Sequence, residues 1–292
     1  MTEPRLLIVE VLAEGGELAL GEGQSRHVGT VLRLEVGDSL RVFNAIDGEW
    51  RAHVSAKSKR GMSVQVEQFL RAAKPAPDLD LLFAPVKRYA TDLIVEKATE
   101  LGVRGIRPVI TQRTIAETVR LDRLQSIARE AAEQTERFDA PEIFAPVSLP
   151  KVLDGWDRSR ALIFADEAVE AVPILAAFAE LSAMAPWTAG VLAGETPAVQ
   201  EYGASGAVAF PPARPPSPTP PPQGGRGLSL LIGPEGGFTA EERAMLRACA
   251  FVVPVSLGPR ILRAETAVIA ALSIIQAAWG DWREGYMLAG AV

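Results

Sequence analysis

Apolar and polar residues alternate in short stretches over the first seventy positions of the chain. Ser39-Leu-Arg-Val-Phe43 and Gly61-Met-Ser-Val-Gln-Val66 have the period of two that is typical of half-buried strands. Turn signals lie near them at Gly37-Asp38 and Asp47-Gly48. This pattern predicts a small β-barrel or β-sandwich at the start of the chain.

The pattern changes after Lys74-Pro-Ala-Pro-Asp78, whose two prolines favour an extended linker. We therefore place a domain boundary there, with residues 1–73 before it and residues 74–292 after it. Beyond the linker, stretches of strand length alternate with stretches of helical period. The predicted order is strand 79–84, helix 91–101, strand 105–110, helix 121–134, strand 161–165, helix 172–181 and strand 228–232. Such an order predicts an α/β domain with a mostly parallel sheet.

Residues 211–227 interrupt this order, because eight of these 17 residues are proline and three are glycine. Such a segment cannot pack as a helix or a central strand, so it predicts a surface loop. A tolerated insertion is favoured over a proline-rich recognition segment.

Composition limits the classes of protein that this chain can belong to. Its 292 residues, 48% of them hydrophobic and 23% charged, suit one large or two modest globular domains. The longest nearly apolar stretch, residues 267–279, is shorter than the roughly 20 residues of a membrane span. Cys249 is the one cysteine, and no cysteine and histidine cluster has zinc-like spacing. We therefore expect a metal-free protein. Because the first ten residues do not resemble a secretory signal, we expect it in the cytoplasm.

The net charge of −6 argues against a protein that binds nucleic acid over its whole surface. Any RNA contact should therefore be local. The best candidate is a basic run without acidic residues, formed by Arg51, Lys57, Lys59 and Arg60. A solvated hairpin face explains this run equally well.

A first glycine-bearing loop follows the predicted strand at 228–232. Gly233, Gly236 and Gly237 would let the backbone approach a ligand closely, and Thr239 with Glu242 matches the capping box that begins a helix. Nucleotide-like ligands bind at the carboxyl ends of strands in open α/β sheets. A tight turn would need the same glycines, so spacing alone leaves both interpretations open.

A second loop follows the strand that ends near Leu257 and precedes a helix that begins near Glu265. Arg260, Arg263 and Glu265 lie in this junction. Arginines there could contact a phosphate or a developing negative charge on a substrate. Pairing of the two arginines with acidic neighbours on the surface is the alternative.

The two loops together resemble a known signature. Ile232-Gly-Pro-Glu-Gly-Gly-Phe238 with Leu257-Gly-Pro-Arg-Ile-Leu-Arg-Ala-Glu-Thr266 is similar to the paired motif of the RsmE family, which belongs to the SPOUT class of knotted methyltransferases. Arg26-His27 and Val31-Leu32-Arg33 resemble the start of its PUA-like RNA-binding domain. Lys87 and residues 96–103 are similar to the first helix of its catalytic domain. The resemblance spans nearly the whole chain except about residues 183–227.

The resemblance implies a fold, a cofactor and a set of site residues. The fold would be a small PUA-like β-barrel followed by a trefoil-knotted α/β methyltransferase domain, one of the few exceptions to the rule against knots. The cofactor would be S-adenosylmethionine, and the RNA-binding residues would be Arg26, His27, Arg33 and Lys87. The expected cofactor-binding residues are Ile232, Gly233, Glu235, Gly236, Leu257, Gly258, Ile261, Leu262, Arg263 and Thr266.

The family also works as homodimers. Ile269, Ala270 and Ile274 on the last long helix are candidates for the dimer interface, and equally for the core.

The implied reaction is methylation of uridine N3 in 16S ribosomal RNA, with the small ribosomal subunit as the expected partner. Deprotonated uracil carries negative charge, which Arg263 or Arg260 would stabilise. Glu265 would orient an arginine or accept the proton. Asp166-Glu167 follows a buried strand and is more readily explained as a polar strand end than as part of the cofactor pocket.

Three other functions compete with this one. A dinucleotide-dependent oxidoreductase is disfavoured, because no Gly-x-Gly-x-x-Gly follows the first strand of the α/β region. A non-catalytic RNA-binding adaptor is disfavoured by the intact second loop. A SPOUT methyltransferase that acts on transfer RNA stays open, because the glycine loops report the cofactor more directly than the substrate.

Overall fold

The computed structural model describes residues 3–115, 118–167, 171–184 and 227–285. The predicted proline-rich loop at 211–227 lies outside this part of the chain except for its last residue. The described residues form two β-sheets with helices packed mainly on the second one.

The first sheet has five strands in the spatial order β1-β3-β4-β5-β2. They are β1 (Arg5–Leu7), β2 (Glu17–Ala19), β3 (Ser39–Asn44), β4 (Gly48–Ser58) and β5 (Gly61–Arg71). Only the β1–β3 pairing in this sheet is parallel. In β5 the inward residues Met62, Val64 and Val66 are buried, as the period of two predicts. The short helix α1 (Glu22–Arg26) continues into a π-helical turn at His27–Val31.

The second sheet has eight strands, and every pairing recorded in it is parallel. Its spatial order is β11-β13-β10-β12-β6-β7-β8, and β9 also pairs with β7. The strands are β6 (Leu79–Phe83), β7 (Gly105–Ile110), β8 (Glu142–Ile143), β9 (Val147–Ser148), β10 (Ala161–Ala165), β11 (Val172–Pro173), β12 (Leu228–Ile232) and β13 (Val252–Ser256).

Within the described ranges, seven helices accompany this sheet. They are α2 (Arg88–Glu100), α3 (Leu121–Gln134), α4 (Leu149–Asp154), α5 (Ile174–Met184), α6 (Ala240–Arg247), α7 (Ala264–Ala278) and α8 (Trp282–Gly285). The helix predicted from residue 172 begins at Ile174, because Val172–Pro173 pairs with β13 as a short strand. No helix in the described ranges is long and apolar enough to cross a membrane.

Both faces of the second sheet are covered, which explains the continuous apolar character of its central strands. Leu81, Phe83 and Leu230 lie in a core cluster that includes residues of α2 and α7. Leu82 and Leu231 lie in a second cluster with residues of α4 and α6. Successive residues of a strand therefore enter different cores, as pleating requires.

Arg5 connects the two sheets. Its guanidinium donates to the carbonyl oxygens of Ala132, Glu133 and Arg137 at the end of α3, and to the carboxylate of Glu49 at 2.6 Å. Arg71 also donates to Glu49. Burial, the largest single influence, raises the pKa of Glu49, but the hydrogen bonds and charges of the two arginines together lower it below its usual value. Glu49 is therefore held as a buried carboxylate at this junction.

From β12 to α7, the chain passes from one side of β10 to the other and back. After β12 it forms α6, joins the sheet again as β13 on the far side of β10, and then returns so that α7 packs against α2, α5 and β12. The two loops that carry the glycine motifs are consequently the connection from β12 to α6 and the connection from β13 to α7.

Candidate active site

The two motif loops leave the sheet at the same edge. Strands β12 and β13 both pair in parallel with β10, which lies between them, so their carboxyl ends point the same way. Neighbouring strands are about 4.8 Å apart, so the two strand ends are separated by about 10 Å. This is the carboxyl edge at which open parallel sheets bind their ligands.

The first loop is folded tightly around Phe238. A Cβ at Gly233 would lie 2.5 Å from the ring of Phe238, which is buried and makes an edge-to-face contact with Phe164 at 5.0 Å. Gly237 has a φ of +66° and donates to the carbonyl of Pro234 at 2.8 Å. The turn therefore requires glycine, while its tip at Glu235 and Gly236 remains exposed to a ligand.

Three contacts attach this loop to the neighbouring segments. Thr239 and Glu242 form the predicted capping box, with hydrogen bonds of 3.0 and 3.2 Å. The other carboxylate oxygen of Glu242 accepts from the backbone amide of Gln112 at 2.8 Å. Arg113 donates to the carbonyl of Gly236 at 2.7 Å. The loop after β7 thus supports the glycine loop, a contact that no sequence motif indicates.

The acidic pair at the end of β10 lies between the two motif loops. Asp166 is buried and forms ion pairs with Arg247 at 2.7 Å and Arg243 at 3.4 Å. Glu167 pairs with Arg243 and lies against Gly237. These residues anchor α6 and the glycine loop. Neither arginine was predicted from the sequence, although their spacing of four places them on one face of α6.

The second loop is more open. Gly258 has a φ of +106°, and its amide donates to the hydroxyl of Ser256 at 3.2 Å. Arg260 and Arg263 are exposed, and neither side chain makes a hydrogen bond or ion pair with the part of the chain that the structure describes. Surface pairing with acidic neighbours, the alternative from the sequence, is therefore not seen there.

The remaining predicted cofactor and catalytic residues differ in exposure. Ile232 is 3% exposed, so its side chain belongs to the core and only its backbone is available to a ligand. Leu257 and Leu262 are half-buried and pack against the core, whereas Ile261 is 88% exposed. Glu265 is half-buried in the first turn of α7, and Thr266 is exposed in the same turn.

The predicted RNA-binding residues fall into two places. Arg26, His27 and Arg33 lie within and just after α1 and the π-helical turn, beside the first sheet. Lys87 immediately precedes α2, which packs on the second sheet. Three residues earlier, the amide of Ala84 donates to the carbonyl of Ile232 at 3.0 Å. The structure thus places Lys87 near the first glycine loop.

The four residues of the basic run differ in whether they have an acidic partner. In the basic run, Arg51 pairs with Glu3 and Lys57 pairs with Glu35, whereas Lys59 and Arg60 are exposed in the turn between β4 and β5. Two of its four charges are therefore balanced locally.

The three candidate dimer residues also differ. Ile274 packs against the core, Ala270 is half-buried and Ile269 is 37% exposed. Among them, Ile269 presents the most side chain to a partner.

Comparison with known proteins decides the family. Residues 73–192 and 215–276 match the profile of an RNA methyltransferase domain, and residues 20–67 match that of an RNA methyltransferase PUA domain. The chain belongs to the RNA methyltransferase family. The resemblance to the RsmE family is thereby confirmed, as is the fold class of a PUA-like domain followed by a parallel-sheet methyltransferase domain.

Individual relatives of this RNA methyltransferase cover almost its whole length. A protein of Rickettsia conorii named ribosomal RNA small subunit methyltransferase E is 29% identical over 93% of this chain and 94% of its own. A Synechocystis protein of the same name is 28% identical over 94% of this chain and 77% of its own.

A solved structure agrees with these relatives. A Legionella pneumophila protein described as a methyltransferase, in complex with S-adenosylmethionine, has 28% identity and a TM-score of 0.73. That match covers 96% of this chain and all of the other.

Proposed function

We propose that this RNA methyltransferase transfers the methyl group of S-adenosylmethionine to N3 of a uridine in 16S ribosomal RNA, in the cytoplasm. One observation carries the proposal: both motif loops leave the same edge of a parallel sheet, on either side of β10, in a chain of this family. Relatives named for methylation of small-subunit ribosomal RNA support the class of substrate.

The two loops fit the proposed cofactor. Gly236 and Gly258 are exposed, and a Cβ at Gly258 would meet nothing within 4 Å, so open space adjoins this backbone. We assign cofactor binding to the backbone and half-buried apolar side chains of the two loops. The residues are Ile232, Gly233, Glu235, Gly236, Leu257, Gly258, Ile261, Leu262, Arg263 and Thr266. The bound sulfonium supplies an activated methyl group, so alignment with the base should account for much of the catalysis.

The arginines of the second loop are assigned to the base. The N3–H proton of uracil must leave before the N3 lone pair forms its bond to the methyl carbon, while the carbon–sulfur bond breaks. Arg263 or Arg260 stabilises the uracil anion, and exposure without an acidic partner in the described chain leaves both free to do so. Glu265 orients one of these arginines or accepts the proton.

Further assignments concern the remaining interactions and the architecture. We place the domain boundary between residues 73 and 74, close to the edges of the two family matches. We assign RNA contacts to Arg26, His27, Arg33 and Lys87.

We also propose a trefoil knot in the second domain, which the return of α7 across the sheet supports. The active form is a homodimer, for which exposed Ile269 is a contact.

The test uses labelled S-adenosylmethionine with small ribosomal subunits and transfer RNA from a strain that lacks the protein. We expect label in 16S RNA and a single N3-methyluridine in its nuclease digest, mapped by mass spectrometry. Label in transfer RNA alone would favour the transfer RNA methyltransferase. Binding of S-adenosylmethionine without transfer to either RNA would favour the non-catalytic adaptor.

A further inference from the structure

A cleft of about 320 Å³ opens between the start of α2 and the start of α3. It lies at the carboxyl edge of the second sheet, where β6 is the neighbour of β12. The segment that leads from β6 into the cleft is hydrogen-bonded to the last residue of β12 through Ala84. The cleft is therefore beside the first glycine loop.

The floor of the cleft is apolar and firmly held. Pro85, Val86, Val119 and Leu124 line it. The hydroxyl of Thr91 accepts from the amide of Val86 at 3.1 Å and donates to the carbonyl of Val86 at 3.0 Å, which fixes the segment. Small-molecule sites begin at roughly 300 Å³, so the space suits one nucleotide rather than a longer piece of RNA.

The rim of the cleft is basic. Arg123 donates from Nε and Nη2 to the carboxylate of Asp92, and Arg120 pairs with Asp122. Lys87 and Arg88 are exposed, and neither side chain makes a hydrogen bond or ion pair with the described residues. In a chain with a net charge of −6, two unbalanced cations beside an apolar floor form a local site for a phosphate.

We propose that this cleft binds a nucleotide that flanks the methylated uridine, with its base on the apolar floor and its phosphate against Lys87 and Arg88. The proposal rests on the proposed function and extends the single contact assigned to Lys87 into a subsite with a second cation and a surface for a base. It would hold the RNA strand at a fixed distance from the first glycine loop, which limits the positions that the target base can take.

The test compares two double variants that remove the same charge. Lys87→Gln with Arg88→Gln alters the cleft, whereas Lys151→Gln with Arg158→Gln removes two exposed cations of α4 and of the turn before β10. Affinity for 16S RNA from a strain lacking the protein is measured by filter binding at several salt concentrations. Binding of S-adenosylmethionine is measured separately by calorimetry.

The cleft variant should bind RNA at least ~10-fold more weakly, since it loses both cations that contact the phosphate. Its plot of log affinity against log salt should be less steep by about 0.7, because one phosphate of single-stranded RNA is no longer neutralised. Its binding of S-adenosylmethionine should be unchanged. The swap Lys87→Arg with Arg88→Lys keeps the charge and should retain the salt dependence.

Equal RNA affinity and salt dependence in the cleft variant and the control variant would overturn the proposal. Failure of the proposed function would look different, because the unaltered protein would then transfer no methyl group to 16S RNA in the first place.

Discussion

At Gly233, a buried ring removes the space in which any other residue would place its side chain. The ring of Phe238 also contacts Phe164 edge to face, so it cannot move away without disturbing the core between the sheet and α6. This glycine is required by packing, whereas Gly237 and Gly258 are required by their positive φ angles.

We expect Gly233→Ala to weaken binding of S-adenosylmethionine by at least ~10-fold, because the added methyl group must displace the ring and with it the loop. Isothermal titration calorimetry measures the effect. Gly23→Ala is the matched control, since a Cβ there meets nothing within 4 Å and should leave binding unchanged. Equal affinity of both variants would show that the loop is not part of the cofactor site.

Arg263→Ala should reduce methyl transfer at least ~100-fold while leaving binding of S-adenosylmethionine partly intact. The reason is that the arginine would act on charge that develops only during the reaction. Single-turnover kinetics and calorimetry on the same preparation separate the two effects. A variant with normal activity would refute the catalytic assignment of Arg263.

At the scale of elements, helix α6 links the site to its surroundings. Its first residue follows the N-cap Thr239, its third residue Glu242 reaches the loop after β7, and Arg243 and Arg247 reach the end of β10. The helix is only eight residues long, too short to be stable alone. These end contacts therefore determine whether the glycine loop is ordered.

Thr239→Ala should lower the free energy of unfolding by about 1 kcal/mol, because the amide of Glu242 loses its capping acceptor. Urea denaturation followed by circular dichroism gives the value. Ser126→Ala on the exposed side of α3 is the control and should change stability by less than about 0.5 kcal/mol. A loss of the same size in both variants would argue against the cap.

The sequence predicts the main elements well and the site only in part. The strands at 105–110, 161–165 and 228–232 match β7, β10 and β12, because each is a distinct strand-length run. Strands of two residues, such as Val147–Ser148, are too short to show any period. The helix predicted from residue 91 begins at Arg88, since Lys87 precedes it without a side-chain cap.

The order of strands in the sheet is what the sequence does not contain. Both motif loops could be identified from their residues, but nothing in the chain shows that β10 lies between β12 and β13. The role of Asp166 and Glu167 depends on that position. As a result, their ion pairs with α6 were missed and the acidic pair was interpreted as an ordinary strand end.

At the scale of the whole molecule, a buried ion pair holds the two sheets together. Glu49 and Arg5 are nearly inaccessible to solvent, and Arg71 adds a second hydrogen bond to Glu49 from a half-exposed position. Arg5 also donates to backbone carbonyls at and just after the end of α3. Loss of Glu49 or Arg5 would therefore leave a buried charge without its partner.

Glu49→Gln should lower the free energy of unfolding at pH 7 by about 2 kcal/mol, since hydrogen bonds between charged groups are replaced by weaker ones. The lowered pKa of Glu49 in the folded state means that its stabilisation is present above the usual glutamate pKa of about 4.3 and is lost as the pH falls. The difference between variant and parent should therefore shrink between pH 5 and pH 3, as followed by urea denaturation.

Glu136→Gln provides the comparison, because Glu136 contacts Arg71 from an exposed position. Exposed pairs contribute less than about 1 kcal/mol, so this variant should be close to the parent at both pH values. A pH-independent difference for Glu49→Gln would mean that Glu49 is not charged at the junction.

The position of β12 also affects how the protein is made. This strand pairs with β6 on one side and β10 on the other, yet it is synthesised after both. At about 5 to 20 residues per second, the nascent chain spends several seconds with two apolar strand edges exposed before their shared partner leaves the ribosome. Unpaired edges recruit other chains, so this interval is when newly made molecules are most prone to aggregate and most dependent on chaperones.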